Sequence, residues 1–425
     1  MAERGRPMSL QDAERLLLSL ELFGMRFGLD RMRRLLTALG SPQERFGAIH
    51  VVGTNGKSST VRMTAAILRR HGLRVGAYLS PHLVTFAERV RVDDRDVSGA
   101  EFAAAVQRAA AAAAKVDRTA EPDDHVTQFE LLTAAAFDLF ARAEVDVVVV
   151  EAGLGGRFDA TNVLKSDVSV LTNVGLEHTR WLGPTVTAIA TEKLDVLEPE
   201  TTLIIGADLH ADAVALARQT AAERHARLVV APADPGAGLE ILARGAFQRR
   251  NFTLAIEAAR AYLAARGRPL DDTAVVAAAA STLVPGRFEV IDKRPDTVID
   301  GAHNPGGLAA LAEALPEFVD GRRLVACLAV LDDKDASGML NAILPLCDGV
   351  VTTRAQSPRA LPPATLASLC RQHGFTGPVE IVGEARAALA RARDMAGPDG
   401  VALATGSIYL IADLLRPAGA ARSTL

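Results

Sequence analysis

The sequence predicts an α/β fold with a parallel-rich sheet, and three observations carry that prediction. Short β-like runs alternate with helical stretches along nearly the whole chain. Several runs, "VDVVVV" at 145–150 among them, are apolar on both alternating faces. Strands of that kind suit a sheet covered by helices on both sides. At 50–60, "HVVGTNGKSST" carries an apolar strand through glycines into a helix, the start of a phosphate-binding loop.

In chain order the first strands are "AIHVV" (48–52), "RVGAYL" (74–79), "VDVVVV" (145–150), "DVSVLTNV" (167–174), "TTLIIG" (201–206) and "RLVVA" (227–231). Between them, "AAAVQRAAAAAAKV" (103–116) reads as a solvated alanine-rich helix without a function of its own. A helical stretch spans 247–280. It is followed by "STLVPGRFEVIDKRPDTVIDG", whose Pro-Gly pair and charged run mark a loop. Strand-helix alternation then resumes with "DTVID" (296–300), "RLVACLAVL" (323–331), "DGVVTT" (348–353), "PVEIVG" (378–383) and "VALATG" (401–406). Two domains are expected, 1–284 and a smaller 285–425.

The 425 residues carry a formal net charge of -4, so no broad basic surface for nucleic acid is implied. Three widely separated cysteines form no C-x-x-C pair, which argues against a disulfide framework or a zinc site. No apolar run is long enough to cross a bilayer and the N-terminus lacks a signal-peptide core, so a cytoplasmic protein is expected.

Four stretches carry chemistry. In the loop, Gly53 and Gly56 allow close backbone approach to an anion. A helix starting near Ser58 turns unpaired N–H groups toward it. Lys57 adds a full charge, and Ser58, Ser59 or Thr60 can offer a hydroxyl to Mg²⁺. A Walker A loop would place glycine where Val51 stands, and a plain strand-to-helix turn is the alternative. In "VDVVVVEAGLGGRFDATN" (145–162), Glu151 ends a buried strand, where a carboxylate is costly unless it is paired or binds a metal. Mg²⁺ is the preferred reading, and an ion pair with Arg157 the alternative. In "LTNVGLEHTRWLGPT" (171–185), His178 is a weak candidate ligand, because Mg²⁺ prefers oxygen, and simple packing is the plain reading of Trp181 close by. In "PGRFEVIDKRPDTVIDGAHNPGG" (285–307), Arg287 lies in the interdomain loop, able to meet phosphates if the domains close. Asp300 ends a strand, as a site residue or as a cap for the helix opened by His303-Asn304-Pro305.

Together these stretches resemble the Mur-ligase superfamily, most closely its folate branch, the dihydrofolate synthase/folylpolyglutamate synthase enzymes. "SPHLVTFAERV", "GGRFDATN" and "DGAHNP" carry the resemblance to that branch, and matching motifs run in order from about residue 27 to 410. The resemblance implies a Mur-ligase-like α/β fold. A P-loop ATPase domain would precede a smaller Rossmann-like domain, with the active site in the cleft between them. It explains the missing glycine, because the loop of this superfamily is a shortened Walker A. It further implies ATP-dependent joining of L-glutamate to dihydropteroate, or to the γ-carboxylate of reduced folates, through an acyl phosphate. No nucleic acid, membrane or protein partner is implied.

By matched motif, Thr54, Asn55, Gly56, Lys57 and Ser58 would hold ATP, with Asn251, Arg287 and Asp300. Ser80 and Glu151 would bind a first Mg²⁺. His178 would bind a second, with Lys193 carboxylated to a carbamate as its oxygen ligand. His303 and Ser407 would stand near the glutamate. The pterin would lie near Phe129 and Phe158-Asp159-Ala160, with Gly24-Met25-Arg26 as a lid. Lys57, Lys193, Arg287 and His303 are the expected catalytic set. The sequence departs from the family pattern in "LEHT" for LDHT, in Arg180 where an acid is common, and in "EKLDV" (192–196) for EKAGI. Glu192-Lys193 as a solvated helical pair is the bland alternative. Two other functions compete. One is a superfamily ligase for a muramyl nucleotide or amino-acid polymer, which the "SPHL" stretch and "GLDRMRRLL" argue against. The other is a nucleotide switch, which would need no glutamate site.

Overall fold

In a computed structural model of the chain, residues 7–20, 28–121, 124–236 and 238–417 are described. The expected lid, Gly24-Met25-Arg26, lies outside them. The chain divides into two units, Met1–Glu240 with Arg250–Thr282, and Ile241–Arg249 with Leu283–Leu425. The segment Ile241–Arg249 thus belongs with the second unit although it precedes residue 284. Phe247 explains this, since it packs against the second unit's core.

The first unit is built on an eight-stranded sheet. Its strands are β1 (Gly47–Val52), β2 (Val75–Tyr78), β3 (Val90–Val92), β4 (Arg95–Asp96), β5 (Val147–Glu151), β6 (Val168–Leu171), β7 (Thr202–Ile205) and β8 (Arg227–Val230). They lie in the order β4-β3-β2-β5-β1-β6-β7-β8. The six strands from β2 to β8 in that order run parallel, and all six were expected from their apolar runs. β3 and β4 were not expected. They are short, charged and antiparallel, joined through Asp93 and Asp94, both at positive φ. Two left-handed residues in a two-residue loop suit the twist of a tight hairpin.

The alanine-rich helix forms as Gly99–Asp117, but it is not a solvated helix. Phe102, Val106, Ala103, Ala105, Ala109, Ala112 and Ala113 are buried in the main core, with Phe137 and Phe140 of the helix Gln128–Arg142. Small side chains let the two helices approach closely, which is a packing use of alanine rather than a propensity effect. The stretch 247–280 is likewise not one helix. It breaks into Ala246–Ala264 and Asp272–Ala279, with Gly267 at φ +69° and Pro269 between them.

The second unit holds six strands: β9 (Glu289–Asp292), β10 (Asp296–Ile299), β11 (Leu324–Leu328), β12 (Gly349–Thr352), β13 (Val379–Ile381) and β14 (Val401–Thr405). Their order is β13-β12-β11-β14-β10-β9, all parallel except β9. β9 corrects the loop reading of "PGRFEVIDKRP". It pairs antiparallel with β10 at the sheet edge, where its charged residues face solvent. Cys327 and Cys370 are buried, Cys347 is half-buried, and all three are free thiols. No helix among the described residues is long and apolar enough to cross a membrane.

Candidate active site

β1 is flanked by β5 and β6, and this placement assembles the first site. Past Val52 the chain turns through Gly53, at φ +151°, and Gly56, at φ +82°. A Cβ at Gly53 would collide with Thr172 Oγ1, and one at Gly56 with Asn251 Oδ1. Only glycine fits at either position. The helix Lys57–Arg70 then begins with no side-chain cap at Gly56, so its first N–H groups are turned to an incoming anion. The loop is clamped from the end of β6. Asn55 N–H donates to Asn173 Oδ1 (2.8 Å), Thr172 Oγ1 to the Asn55 carbonyl (2.6 Å) and Gly175 N–H to Thr54 Oγ1 (3.0 Å). Sequence reasoning missed Thr172 and Asn173. Only the pairing of β1 with β6 brings them to the loop.

Two lysines converge on one carbonyl of this loop. Lys57 Nζ donates to Gly53 O (3.0 Å) and Thr54 O (3.1 Å), and Lys193 Nζ donates to the same Gly53 O (2.9 Å). Lys193 is buried. Burial, with the Lys57 charge beside it, pushes its amine down to about 7. The reading of Glu192-Lys193 as a solvated pair is therefore wrong. Glu192 turns the other way, to Arg157 (3.4 Å), and Asp195 pairs with Arg157 (3.3 Å) and Arg224 (2.8 Å).

Glu151 is 2% exposed. Its Oε1 accepts from Ser58 Oγ (3.0 Å) and its Oε2 from the Ser80 N–H (3.0 Å). Arg157 is engaged with Glu192 and Asp195, so the ion pair offered as the alternative for Glu151 does not form. The Ser58 hydroxyl and the Glu151 carboxylate lie together as hard oxygen donors of the kind that suits Mg²⁺, and the Ser80 N–H holds the other carboxylate oxygen. Buried Arg89, also missed from sequence, donates to Ser80 Oγ (3.4 Å) and His82 Nδ1 (3.0 Å). His178 is exposed, at φ +53°, and opens the short helix Thr179–Leu182. Trp181 is exposed rather than packed, with the Arg180 guanidinium 5.5 Å from its ring centre. Among the described residues no three His, Cys, Asp or Glu side chains gather to hold a metal.

The chain leaves β5 at Glu151 and enters a tight loop. A Cβ at Gly153 would stand 2.6 Å from Phe129 Cζ, and one at Gly156 2.9 Å from the Lys193 carbonyl. Asp159 is buried and accepts from Leu154 N–H (2.8 Å), Thr161 N–H (3.0 Å) and the Thr161 hydroxyl. Burial raises its pKa, and these donors oppose the rise. Ala160 is buried, whereas the Phe158 ring is 46% exposed.

The second unit gathers its own cluster. Asp300 is buried at the end of β10, its carboxylate accepting from Phe288 N–H (2.8 Å) and Ala302 N–H (2.7 Å). It does not cap the following helix. Asn304 caps Pro305–Val319, accepting from Gly307 N–H (2.8 Å). Burial raises the Asp300 pKa, and Arg287 opposes the rise. Arg287 Nη1 donates to Gly286 O (3.1 Å) and lies against Gly301, where a Cβ would collide with it. His303 Nδ1 is 2.8 Å from Gly301 O, which assigns the proton to Nδ1. Ser407 is buried and caps Ile408–Leu415, accepting from Tyr409 N–H (3.2 Å).

Comparison with known proteins bears on both units. Residues 51–252 match the Mur ligase middle domain, and residues 286–408 the Mur ligase glutamate ligase domain. The chain is 36% identical over 373 residues to the dihydrofolate synthase/folylpolyglutamate synthase of Mycobacterium tuberculosis, covering 80% of this chain and 76% of that one. Its fold superposes on Mycobacterium tuberculosis folylpolyglutamate synthase complexed with ADP and AMPPCP with a TM-score of 0.87. The identity there is 32%, over 95% of this chain and 97% of the other. A bifunctional folylpolyglutamate synthase/dihydrofolate synthase from Yersinia pestis, complexed with AMPPNP and Mn ion, superposes at 0.81. That pair is 27% identical over 96% and 97% of the two chains. With both Mur ligase modules present in order and a relative matched over most of its length, the chain belongs to the dihydrofolate synthase/folylpolyglutamate synthase family.

Proposed function

We propose that this protein is an ATP-dependent ligase. It would join L-glutamate to dihydropteroate, and to the γ-carboxylate of folates, through an acyl phosphate. The observation that carries the reading is the meeting of the Lys57 and Lys193 side chains on the Gly53 carbonyl, beside a helix whose Ser58 reaches the buried Glu151. The Lys57 ammonium on a neutral acceptor, beside an uncapped helix start, leaves positive charge that a phosphate would neutralise.

A carboxylate resists attack by an amine because its charge repels the nucleophile and oxide does not leave. Transfer of the γ-phosphoryl group to one carboxylate oxygen creates a good leaving group. Attack by the glutamate amine then forms the amide and releases phosphate and ADP. Such a transfer needs positioning and charge neutralisation more than covalent help. The Gly53–Gly56 backbone and the first turn of the helix Lys57–Arg70 would hold the phosphates, with Thr54 and Asn55 shaping the loop and Asn251 beside Gly56. Lys57 would release its two carbonyl contacts to follow the charge of the transferred group. Ser58, Ser80 and Glu151 would hold Mg²⁺, which when bound neutralises phosphate charge. A second Mg²⁺ would take His178 and a carbamate of Lys193, formed as the neutral amine adds to CO₂ and releases a proton. Phe129, Phe158, Asp159 and Ala160 would border the pterin acid. Arg287 and Asp300 would serve the nucleotide, and His303 and Ser407 the glutamate.

The deciding test is ADP release with product mass, using dihydropteroate, tetrahydrofolate and a UDP-muramyl peptide in parallel. Release that requires both a pterin acid and glutamate, with a product one glutamyl residue heavier, supports the reading. Turnover of the muramyl peptide alone, or nucleotide binding without any ligation, refutes it.

A further inference from the structure

His50 is fully buried on β1, between Val150 of β5 and Ser169 of β6. An apolar residue would fill this place without polar cost. Instead the ring makes one hydrogen bond, Nε2 to Thr161 Oγ1 (2.8 Å), and its Nδ1 has no partner. The network assigns the tautomer. Asp159 takes donors on both oxygens, from Leu154 N–H on one and from Thr161 N–H and the Thr161 hydroxyl on the other. A carboxylate receiving donors on both oxygens is acting as an acceptor, so the single hydroxyl proton of Thr161 points to it. Thr161 Oγ1 must then accept from His50, which places the imidazole proton on Nε2 and leaves Nδ1 bare. A bare, buried Nδ1 loses stability, so the ring is not there for stability.

Its Nε2–H acts on a loop with a particular position. The loop starts two residues after Glu151, and Asp159 closes it by holding the N–H of Leu154. Its backbone is sewn to the Lys193 helix, with Arg157 N–H donating to Glu192 O (2.9 Å) and Gly156 against the Lys193 carbonyl. It presents the exposed Phe158 ring. The phosphate loop is clamped separately, by Thr172, Asn173 and Gly175.

We infer that His50 is a positioning residue: through the Thr161 hydroxyl it fixes Asp159, and so holds the 153–161 loop where the carboxylic acid substrate is placed beside Glu151. The inference rests on the ligase reading for its substrate, but not for its geometry. The test uses the full-length chain and three variants, His50→Leu, His50→Gln and Thr161→Val. Gln keeps an N–H near the Nε2 position and Leu does not. Losing a hydrogen bond that orients a charged group costs on the order of ten- to a hundredfold. His50→Leu and Thr161→Val should raise the KM for dihydropteroate by that factor, with the KM for ATP changed less than about threefold. His50→Gln should recover most of the loss, and His50→Leu with Thr161→Val should be no worse than either alone. Hydrogen exchange, read without substrate, should accelerate about tenfold at 153–161 in the Leu variant and stay near wild type in Gln.

The role of His50 as a mere core filler predicts the opposite order. Leu would be at least as good as Gln in urea midpoint, in exchange and in KM. Unchanged exchange at 153–161 in His50→Leu would overturn the positioning role. Accelerated exchange with an unchanged dihydropteroate KM would overturn its link to the substrate. A wild-type protein inert toward dihydropteroate, with the exchange pattern still found, would overturn the ligase reading and leave the positioning role standing.

Discussion

Replacing Glu151 with glutamine should abolish turnover while sparing the fold, and the geometry says why. The carboxylate is almost wholly buried and receives two donors, the Ser58 hydroxyl and the Ser80 N–H. In Glu151→Gln the amide oxygen can still accept from Ser80. The amide N–H can donate to Ser58 Oγ, whose own proton is free to rotate. Both of these contacts keep a partner, so the stability change should stay within about 1 kcal/mol. The charge, however, is gone. An anionic ligand to Mg²⁺ at a transferring phosphoryl group is worth on the order of 4 kcal/mol, about a thousandfold in kcat. The assay is coupled ADP release at saturating dihydropteroate and glutamate, titrated with Mg²⁺, alongside a thermal melt. The expected result is a kcat about a thousandfold lower, a higher half-saturating Mg²⁺ concentration and a Tm within a few degrees of wild type. Glu151→Ala is the contrast, because it removes the acceptor of the Ser80 N–H and should cost about 1–3 kcal/mol. A well-folded Glu151→Gln protein with normal kcat and unchanged Mg²⁺ dependence would refute the metal role.

Lys57→Ala should stay folded, since its ammonium contacts only the carbonyls of its own loop, and should lose about a thousandfold or more in kcat. A soluble variant with near-normal turnover would remove Lys57 from the reaction. Arg287→Ala should lower kcat far more than it weakens ATP binding by calorimetry, and a raised ATP Kd with kcat unchanged would make its contact a ground-state one. Asp300→Asn is the matching change at the other residue, because Asp300→Ala would strand both the Phe288 and Ala302 N–H groups, whereas Asn keeps an acceptor for one of them. Lys193→Ala should be nearly inactive and regain activity with added short-chain carboxylates, and wild type should lose activity when bicarbonate is stripped and recover on its return. A fully active Lys193→Ala enzyme would rule out the carbamate.

Local pattern was enough for the α/β class and for every parallel strand of the first sheet, because the inner strands of a sheet covered on both sides are mostly apolar, and the edge strand β8 keeps an apolar run as well. It was enough, too, to single out Thr54–Ser58, where glycines and a lysine occur together at a strand-to-helix turn. It failed at β4 and β9, edge strands that keep the charges of a loop, and at β3, three residues long with Arg91 at its centre. It also misread 103–116, because an alanine face looks the same whether it meets water or a neighbouring helix. What only tertiary structure decided was partnership. Ser58 meets Glu151 across 93 residues, Asn55 meets Asn173 across 118, and Lys193 meets Gly53 across 140. Each pairing exists because β1 lies between β5 and β6, an order that no local window encodes. The same holds for side-chain state. Glu192 and Lys193 are neighbours in sequence, yet one turns to Arg157 and the other into the dry interior. Sequence names the groups that can carry chemistry. Burial and the donors around each group set its charge and its aim, and both depend on what the rest of the chain packs against it.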